Sequence, residues 1–223
     1  MEIKAVLFDL DGTLLPMDQE EYIKAYLGLL GKWLVPKGYE FDKFIKVMWA
    51  GVEAMVKNDG TCTNEERFWK VFTEAFGERV KEDKPLIDEF YYSEFQKAQA
   101  VCGFHKAAKE IVELVREKGK LPVLATNPLF PHVATENRMR WAGLEPEMFE
   151  IYTTYENCHY CKPNTKYYQE LLDKLGLKPE ECIMVGNDFD EDMVPTEGLG
   201  MQGFLLTDCL INKHEQDISP YPH

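Results

Sequence analysis

Apolar residues recur along this chain in two rhythms. Short apolar runs occupy Ile3 to Phe8, Leu121 to Ala125, a weaker Ile151 to Thr154, Cys182 to Val185, and Phe204 to Leu206. Runs this short, stopping at Asp, Thr or Gly, have the signature of strands buried on both faces of a parallel sheet. Elsewhere apolar residues return every three or four positions. Ile111, Val112, Leu114 and Val115 mark a helix over 105–118 that ends at Gly119, and Tyr167, Leu171, Leu172 and Leu175 mark another over 166–175 that ends at Gly176. Gly just past a periodic run is a helix stop. Strand and helix alternate from about residue 103 onward, which predicts βαβ units and an α/β fold, a Rossmann-like parallel sheet core.

The stretch from 16 to about 100 contains no convincing strand. Its periodicity predicts helices over 18–35, 42–57, 64–76 and 86–100. The third opens with the capping-box spacing Thr63 to Glu66 and sets Phe68, Trp69, Phe72 and Phe76 at helical spacing before Gly77, a stripe that reads as core. An all-helical domain of residues 16–102 is thus expected to interrupt an α/β domain formed by 1–15 and 103–223. Inserted after the first strand, it would stand above the carboxyl ends of the strands, where open α/β sheets bind their ligands. The polar, Pro-containing residues 214–223 read as a loose tail.

Charge narrows the partners. Lys and Arg total 25 against 39 Asp and Glu, a net charge of −14. Nucleic acid and anionic membrane surfaces recruit basic faces and are not expected here. No apolar run approaches the ~18 residues of a membrane span. The opening MEIKAVLFDLDG lacks the flanks of a signal peptide, so a cytoplasmic location is expected. The six cysteines suggest no disulfide framework. Cys158 and Cys161 look like half of a zinc site, but no second CxxC accompanies them and the five histidines show no metal spacing. His132 reads as a residue on a helix surface. Gly-rich phosphate loops of the P-loop or dinucleotide type are absent.

The chemistry-bearing residues sit at strand ends. Asp9-Leu10-Asp11-Gly12-Thr13 leaves the first strand, with two carboxylates on one face of an extended segment. Burying both requires a cation or a proton between them, and Gly12 suits an immediate sharp turn. Thr126-Asn127 closes the second strand, Lys162-Pro163 follows the third, and Gly186-Asn187-Asp188 closes the fourth, with Asp190, Glu191 and Asp192 behind it. Hard oxygen donors gathered at one point suit Mg²⁺, which takes one or two carboxylates together with substrate phosphate.

These four pieces in this order, with the run GFHKAAKEIVELVREKGKLPVLATN leading into its strand, resemble the haloacid dehalogenase superfamily. The resemblance covers 1–15 and about 103–208, and the helical insert resembles in kind the cap which that superfamily places after its first motif. It implies a Mg²⁺-dependent phosphatase acting on a small phosphorylated metabolite. Asp9 would be the nucleophile that forms an aspartyl-phosphate. Asp11 would be the general acid and then the general base, its carbonyl also meeting the metal. Thr126 and the amide of Asn127 would donate to the phosphoryl group, Lys162 would steady the nucleophile, and Gly12, Thr13 and Asn127 would bind substrate. The metal surroundings would be Asp9, Asp11, Asp188 and Asp192, with Asp188 as ligand and Asp192 as an anchor for Lys162. The superfamily's usual Gly-Asp reads Gly186-Asn187-Asp188 here, so Asn187 could instead take the ligand position and weaken the metal. Asp11 favours phosphate-ester hydrolysis over dehalogenation, because an alkoxide leaving group needs a proton and a halide does not. A phosphotransferase or mutase would use the same residues, and a non-catalytic phospho-accepting module is the reading from another class. The cap would close over the pocket, with Met17 to Tyr22 as candidate selectors of substrate.

Overall fold

The structure, a computed structural model, describes residues 2–222, so Met1 and the final His223 of the expected tail lie outside the described residues. The elements are β1 (Ala5–Phe8), α1 (Gln19–Leu34), α2 (Phe41–Val56), α3 (Asn64–Phe76), α4 (Arg79–Glu82), α5 (Lys84–Tyr92), a 3₁₀ helix (Glu94–Val101), α6 (Ala107–Glu117), β2 (Leu121–Leu124), α7 (His132–Trp141), β3 (Ile151–Tyr152), α8 (Thr165–Leu175), β4 (Cys182–Gly186), a π turn (Phe189–Met193), α9 (Val194–Leu199) and β5 (Gln202–Leu205).

The strands form one parallel sheet in the order β3-β2-β1-β4-β5. Parallel strands are covered on both faces, and alternate residues of β1 show it. Leu7 packs with Val123, Met184, Tyr167 and Leu171 in one buried cluster, while Phe8 packs with Leu124, Val112 and Met139 in the other. β1 lies between β2 and β4, with Phe8 opposite Leu124 on one side and Val185 on the other. Register therefore sets the residues just beyond those three positions beside one another.

Every regular element between β1 and β2 is a helix, as the periodicity predicted, joined by turns and isolated bridges. Asp18 caps α1 by accepting from the Glu21 amide, and Thr63 and Glu66 form the expected capping box on α3. Phe72 is buried against Phe44, and Phe68 stacks on Phe72 at 4.5 Å. The stripe is only partly closed: Phe68, Trp69 and Phe72 also line an apolar cavity of about 130 Å³ between these helices and Leu129, Phe130, Pro131 and Tyr155. The chain leaves and re-enters the sheet region at adjacent points, where Met17 bridges Cys102 and the Gly103 amide donates to Pro16 at 2.7 Å.

Several expectations are corrected. The single helix over 86–100 is broken at Ser93, whose hydroxyl donates to the Glu89 carbonyl at 2.7 Å, and the chain continues as a 3₁₀ helix. Such side-chain bonding competes with the helical ladder. The break brings Phe95 onto the core beside Phe90, with ring centroids 6.0 Å apart. β3 keeps only two residues of the expected four, and β5 begins earlier than expected, at Gln202. The tail is not loose: Pro222 accepts from the Leu205 amide at 3.0 Å and the Tyr221 ring meets Phe189 edge-on at 5.5 Å.

Candidate active site

β1 delivers Asp9 to the carboxyl edge of the sheet, where the Asp9 amide still donates to Val185 at 2.9 Å. The chain then turns at once: the Thr13 and Leu15 amides both return to the Leu10 carbonyl. Gly12 makes this turn possible. Its φ is +87°, and a Cβ there would stand 2.3 Å from the Asn187 amide nitrogen. Left-handed backbone and close approach both demand glycine. Asn187 is thereby locked in place. Its Oδ1 receives the Thr13 hydroxyl at 2.9 Å, and its Nδ2 donates to the Cys209 carbonyl at 2.7 Å. The Thr13 hydroxyl also lies 3.3 Å from Asp9 Oδ2.

Lys162 arrives from the loop after β3 and is 1% exposed. Its ammonium donates to Asp9 Oδ1 at 2.8 Å and to Asp192 Oδ1 at 2.6 Å. Burial alone would lower its pKa, but Asp192 and Asp9 outweigh it and raise the group well above the usual lysine range. Burial pushes Asp192 up, with Lys162 pulling back, and the geometry favours a charged ammonium shared by the two carboxylates. The second oxygen of Asp192 accepts the Asp188 amide at 3.1 Å. Asp188 is buried and caps the π turn, its Oδ1 accepting the Asp190 and Glu191 amides, both at 2.9 Å.

Thr126 lies in the same cluster of strand ends, past the point where the Ala125 amide donates to Phe8. Its carbonyl is pinned by the Thr153 hydroxyl at 2.6 Å and the Tyr167 hydroxyl at 2.9 Å. Asn127 donates to Glu191 at 3.0 Å, while its own buried Oδ1 has no hydrogen-bond partner among the described residues. Burial, reinforced by Asp188, Asp192 and Asp9 against the pull of Lys162, pushes Glu191 up to about 7.

The structure thus brings Asp9, Thr13, Asn127, Lys162, Asp188 and Asp192 into one connected cluster. Asp11 turns to a partner the sequence did not suggest, the guanidinium of Arg138 on α7. Arg138 is 1% exposed, and its Nε also donates to Ala134. Burial pushes the Asp11 carboxyl up and Arg138 holds it back. The sequence carried no signal for Arg138, because α7 is buried on nearly every side and its polar Asn137 and Arg138 erase the apolar period.

Asn64 was also missed. This residue at the start of α3 is fully buried, and its amide donates to Cys158 at 2.9 Å. Its side-chain nitrogen lies 3.4 Å from the Pro128 carbonyl and 3.3 Å from both the Tyr160 carbonyl and the Cys161 sulfur. One helical residue therefore ties the loop after Thr126 to the loop before Lys162. Asn64→Ala strands buried carbonyls, and a loss of ~1–3 kcal/mol is expected in urea unfolding; an unchanged midpoint would show the tie to be idle. Cys161 is thus an acceptor within this junction, and burial pushes the nearby Cys158 thiol up to about 12. His132 starts α7 and pairs with Glu156 at 3.0 Å, a surface arrangement.

For a metal, the donors on offer are the carboxylates of Asp9 and Asp188 and the backbone carbonyl of Asp11, all hard oxygens. Five acidic side chains, Asp9, Asp11, Asp188, Glu191 and Asp192, stand here with two basic ones, Lys162 and Arg138. Among the described residues no group of three or more Asp, Glu, His or Cys side chains is arranged to hold a metal ion by itself.

Residues 3–194 match the family model of haloacid dehalogenase-like hydrolases. The glyceraldehyde 3-phosphate phosphatase of Methanothermobacter thermautotrophicus is 24% identical over 207 residues, covering 92% of this chain and 85% of that protein. The crystal structure of a HAD phosphatase from Thermococcus onnurineus superposes with a TM-score of 0.57 at 20% identity, covering 99% of this chain and 91% of that one. The HAD-hydrolase YfnB from Bacillus subtilis, solved bound to magnesium, superposes with a TM-score of 0.56 at 15% identity, covering 92% of this chain and 89% of that one. Among the described residues no helix is long and apolar enough to cross a membrane.

Proposed function

Because the chain belongs to the haloacid dehalogenase-like hydrolase family, we propose that it is a Mg²⁺-dependent phosphatase that hydrolyses a small phosphorylated metabolite through Asp9. The reading is carried by one observation: the Lys162 ammonium, 153 positions away in the chain, sits 2.8 Å from Asp9 with Asp192 behind it. A carboxylate so held is a fixed nucleophile beside a fixed positive charge.

In the first half-reaction an Asp9 oxygen attacks phosphorus in line, and a new P–O bond forms as the ester P–O bond breaks. The electron pair leaves on the ester oxygen, which takes a proton from Asp11. Water then attacks phosphorus and gives a proton to the Asp11 carboxylate. The bond to Asp9 breaks, and inorganic phosphate departs. Thr126 and Asn127 donate to the phosphoryl oxygens, while Gly12 and Thr13 shape the floor beneath them. Asp9, Asp188 and the Asp11 carbonyl would hold Mg²⁺, which supplies neutralisation of the charge between nucleophile and phosphate. Asn187, engaged at both ends, serves as a strut, leaving Asp188 as the carboxylate for the metal. Asp192 anchors Lys162 and the Asp188 amide.

The helical residues 16–102 act as a cap domain on the α/β domain of 1–15 and 103–223. The paired crossings at Pro16–Met17 and Cys102–Gly103 serve as its hinge, and closure excludes bulk water from the site. Inorganic phosphate release from p-nitrophenyl phosphate tests the reaction. Excess EDTA should reduce the rate at least ~10²-fold, and added Mg²⁺ should restore it. Full activity in EDTA would remove the metal from the mechanism.

A further inference from the structure

The cavity of about 130 Å³ behind the aromatic stripe of α3 draws its walls from both parts of the chain. α1, α2, α3 and α5 line one side, while Leu129 to Pro131 after β2 and Tyr155 after β3 line the other. The Tyr155 amide donates to the Phe130 carbonyl at 3.0 Å, which joins the two loops into one wall. Close-packed interiors hold few spaces larger than a water molecule, so a cavity of this size is an exception.

Its chemistry is apolar. The Tyr26 and Tyr91 hydroxyls bond to each other at 3.0 Å, and the Tyr155 hydroxyl accepts the Trp69 indole N–H at 3.3 Å. Asp88, the charged residue in the lining, pairs with the Lys84 ammonium at 3.5 Å. With these groups engaged, the walls offer water little. An apolar cavity of ~150 Å³ walled by Leu, Ile and Phe stays dry and takes up benzene. Aromatic walls add a preference for a ring, because ring edges pair with ring faces. Tyr26 and Phe130 already meet that way, edge-on at 5.4 Å.

The cavity adjoins the candidate active site through the loop after β2. The Leu129 amide donates to the carbonyl of Asn127 at 2.8 Å. The Arg138 guanidinium stands 4.4 Å from the centroid of the Phe130 ring and pairs with Asp11. A single side chain thus links the cavity wall to Asp11, on the leaving-group side of the proposed reaction.

We propose that this cavity receives the apolar part of the ester's leaving group, so that the substrate is a phosphate monoester of an alcohol carrying one ring or a hydrocarbon group of that size. The proposal rests on the phosphatase reading above and deepens it. A polyhydroxylated leaving group is disfavoured, because its hydroxyls would lose water and find no partners in the walls.

The test compares kcat/KM for benzyl, 2-phenylethyl and 3-phenylpropyl phosphate with that for ethyl phosphate and glycerol 1-phosphate. Turnover of p-nitrophenyl phosphate serves as the reference for phosphatase activity. The wild-type protein is expected to prefer at least one ring-bearing ester over both references by ~10-fold or more, the scale of burying one aromatic side chain. Linker length at the optimum reports the depth of the cavity. Val52 on α2 and Leu27 on α1 line the cavity and take no part in the proposed chemistry. V52F and L27F, made separately, each place a ring in the space and should bring the preference to near one while leaving kcat/KM for ethyl phosphate within a few-fold of wild type. Because each preference is a ratio read within one protein, a smaller folded fraction cancels. Equal rates on all five esters in the wild type, or a preference that survives both substitutions, overturns the leaving-group site, while turnover of p-nitrophenyl phosphate leaves the phosphatase reading standing. No turnover of p-nitrophenyl phosphate in the presence of Mg²⁺ overturns both.

Discussion

Asp9→Asn is expected to lower turnover by ~10⁴-fold or more, the scale reached when a catalytic nucleophile is removed, while the protein remains folded. The amide matches the carboxylate in shape, and its oxygen can still accept from the Lys162 ammonium, now 2.8 Å from Asp9 Oδ1. The counter-charge of Lys162 survives in Asp192, 2.6 Å away. The buried cation is therefore not orphaned, and the melting temperature should move by only a few degrees. On the proposed mechanism, what disappears is the anionic oxygen that would attack phosphorus and the charged donor that would meet the metal. Inorganic phosphate release, measured alongside thermal unfolding, separates the two effects. A variant that retained a tenth of wild-type turnover would remove Asp9 from the chemistry.

Lys162→Met should strike fold and function together. It leaves Asp9 and Asp192 buried with no cation between them, the situation in which breaking a buried ion pair costs ~3–5 kcal/mol. For a chain of this size that corresponds to a drop on the order of 10 °C in melting temperature. Turnover should fall by ~10²–10³-fold, the scale of losing one preorganised electrostatic group. Adding Asp192→Asn removes one of the facing carboxylates. The double variant should regain much of the stability and none of the activity. Should the single variant melt with the wild type, the three-residue cluster would hold no structural charge balance.

The strands were legible because burial on both faces strips their sequences to apolar runs, and the runs at Ala5–Phe8, Leu121–Leu124 and Cys182–Gly186 are such segments. The candidate site residues stood out for a related reason, since parallel strands end in polar residues at one edge of the sheet. What the sequence hid has two causes. α7 buries Thr135, Asn137 and Arg138 along with its apolar residues, so periodicity could not mark the helix or the partner of Asp11. The contacts of Asn64 and Asn187 are long-range: their carbonyl partners lie 22 to 96 positions away, which no local pattern encodes. The break at Ser93 belongs with these, since helical spacing alone does not reveal where a hydroxyl will compete with the ladder.

The strand order β3-β2-β1-β4-β5 has a consequence for synthesis at the ribosome. The strand made earliest is the one in the middle, and its hydrogen-bonding neighbours begin at Leu121 and Cys182. Until those segments emerge, Ala5–Phe8 is an unpaired apolar ribbon, while α1 to α5 can already assemble from local contacts. The nascent chain should therefore lean on holdase chaperones through the first half of translation, and gain catalytic competence only once Asp192 has left the exit tunnel.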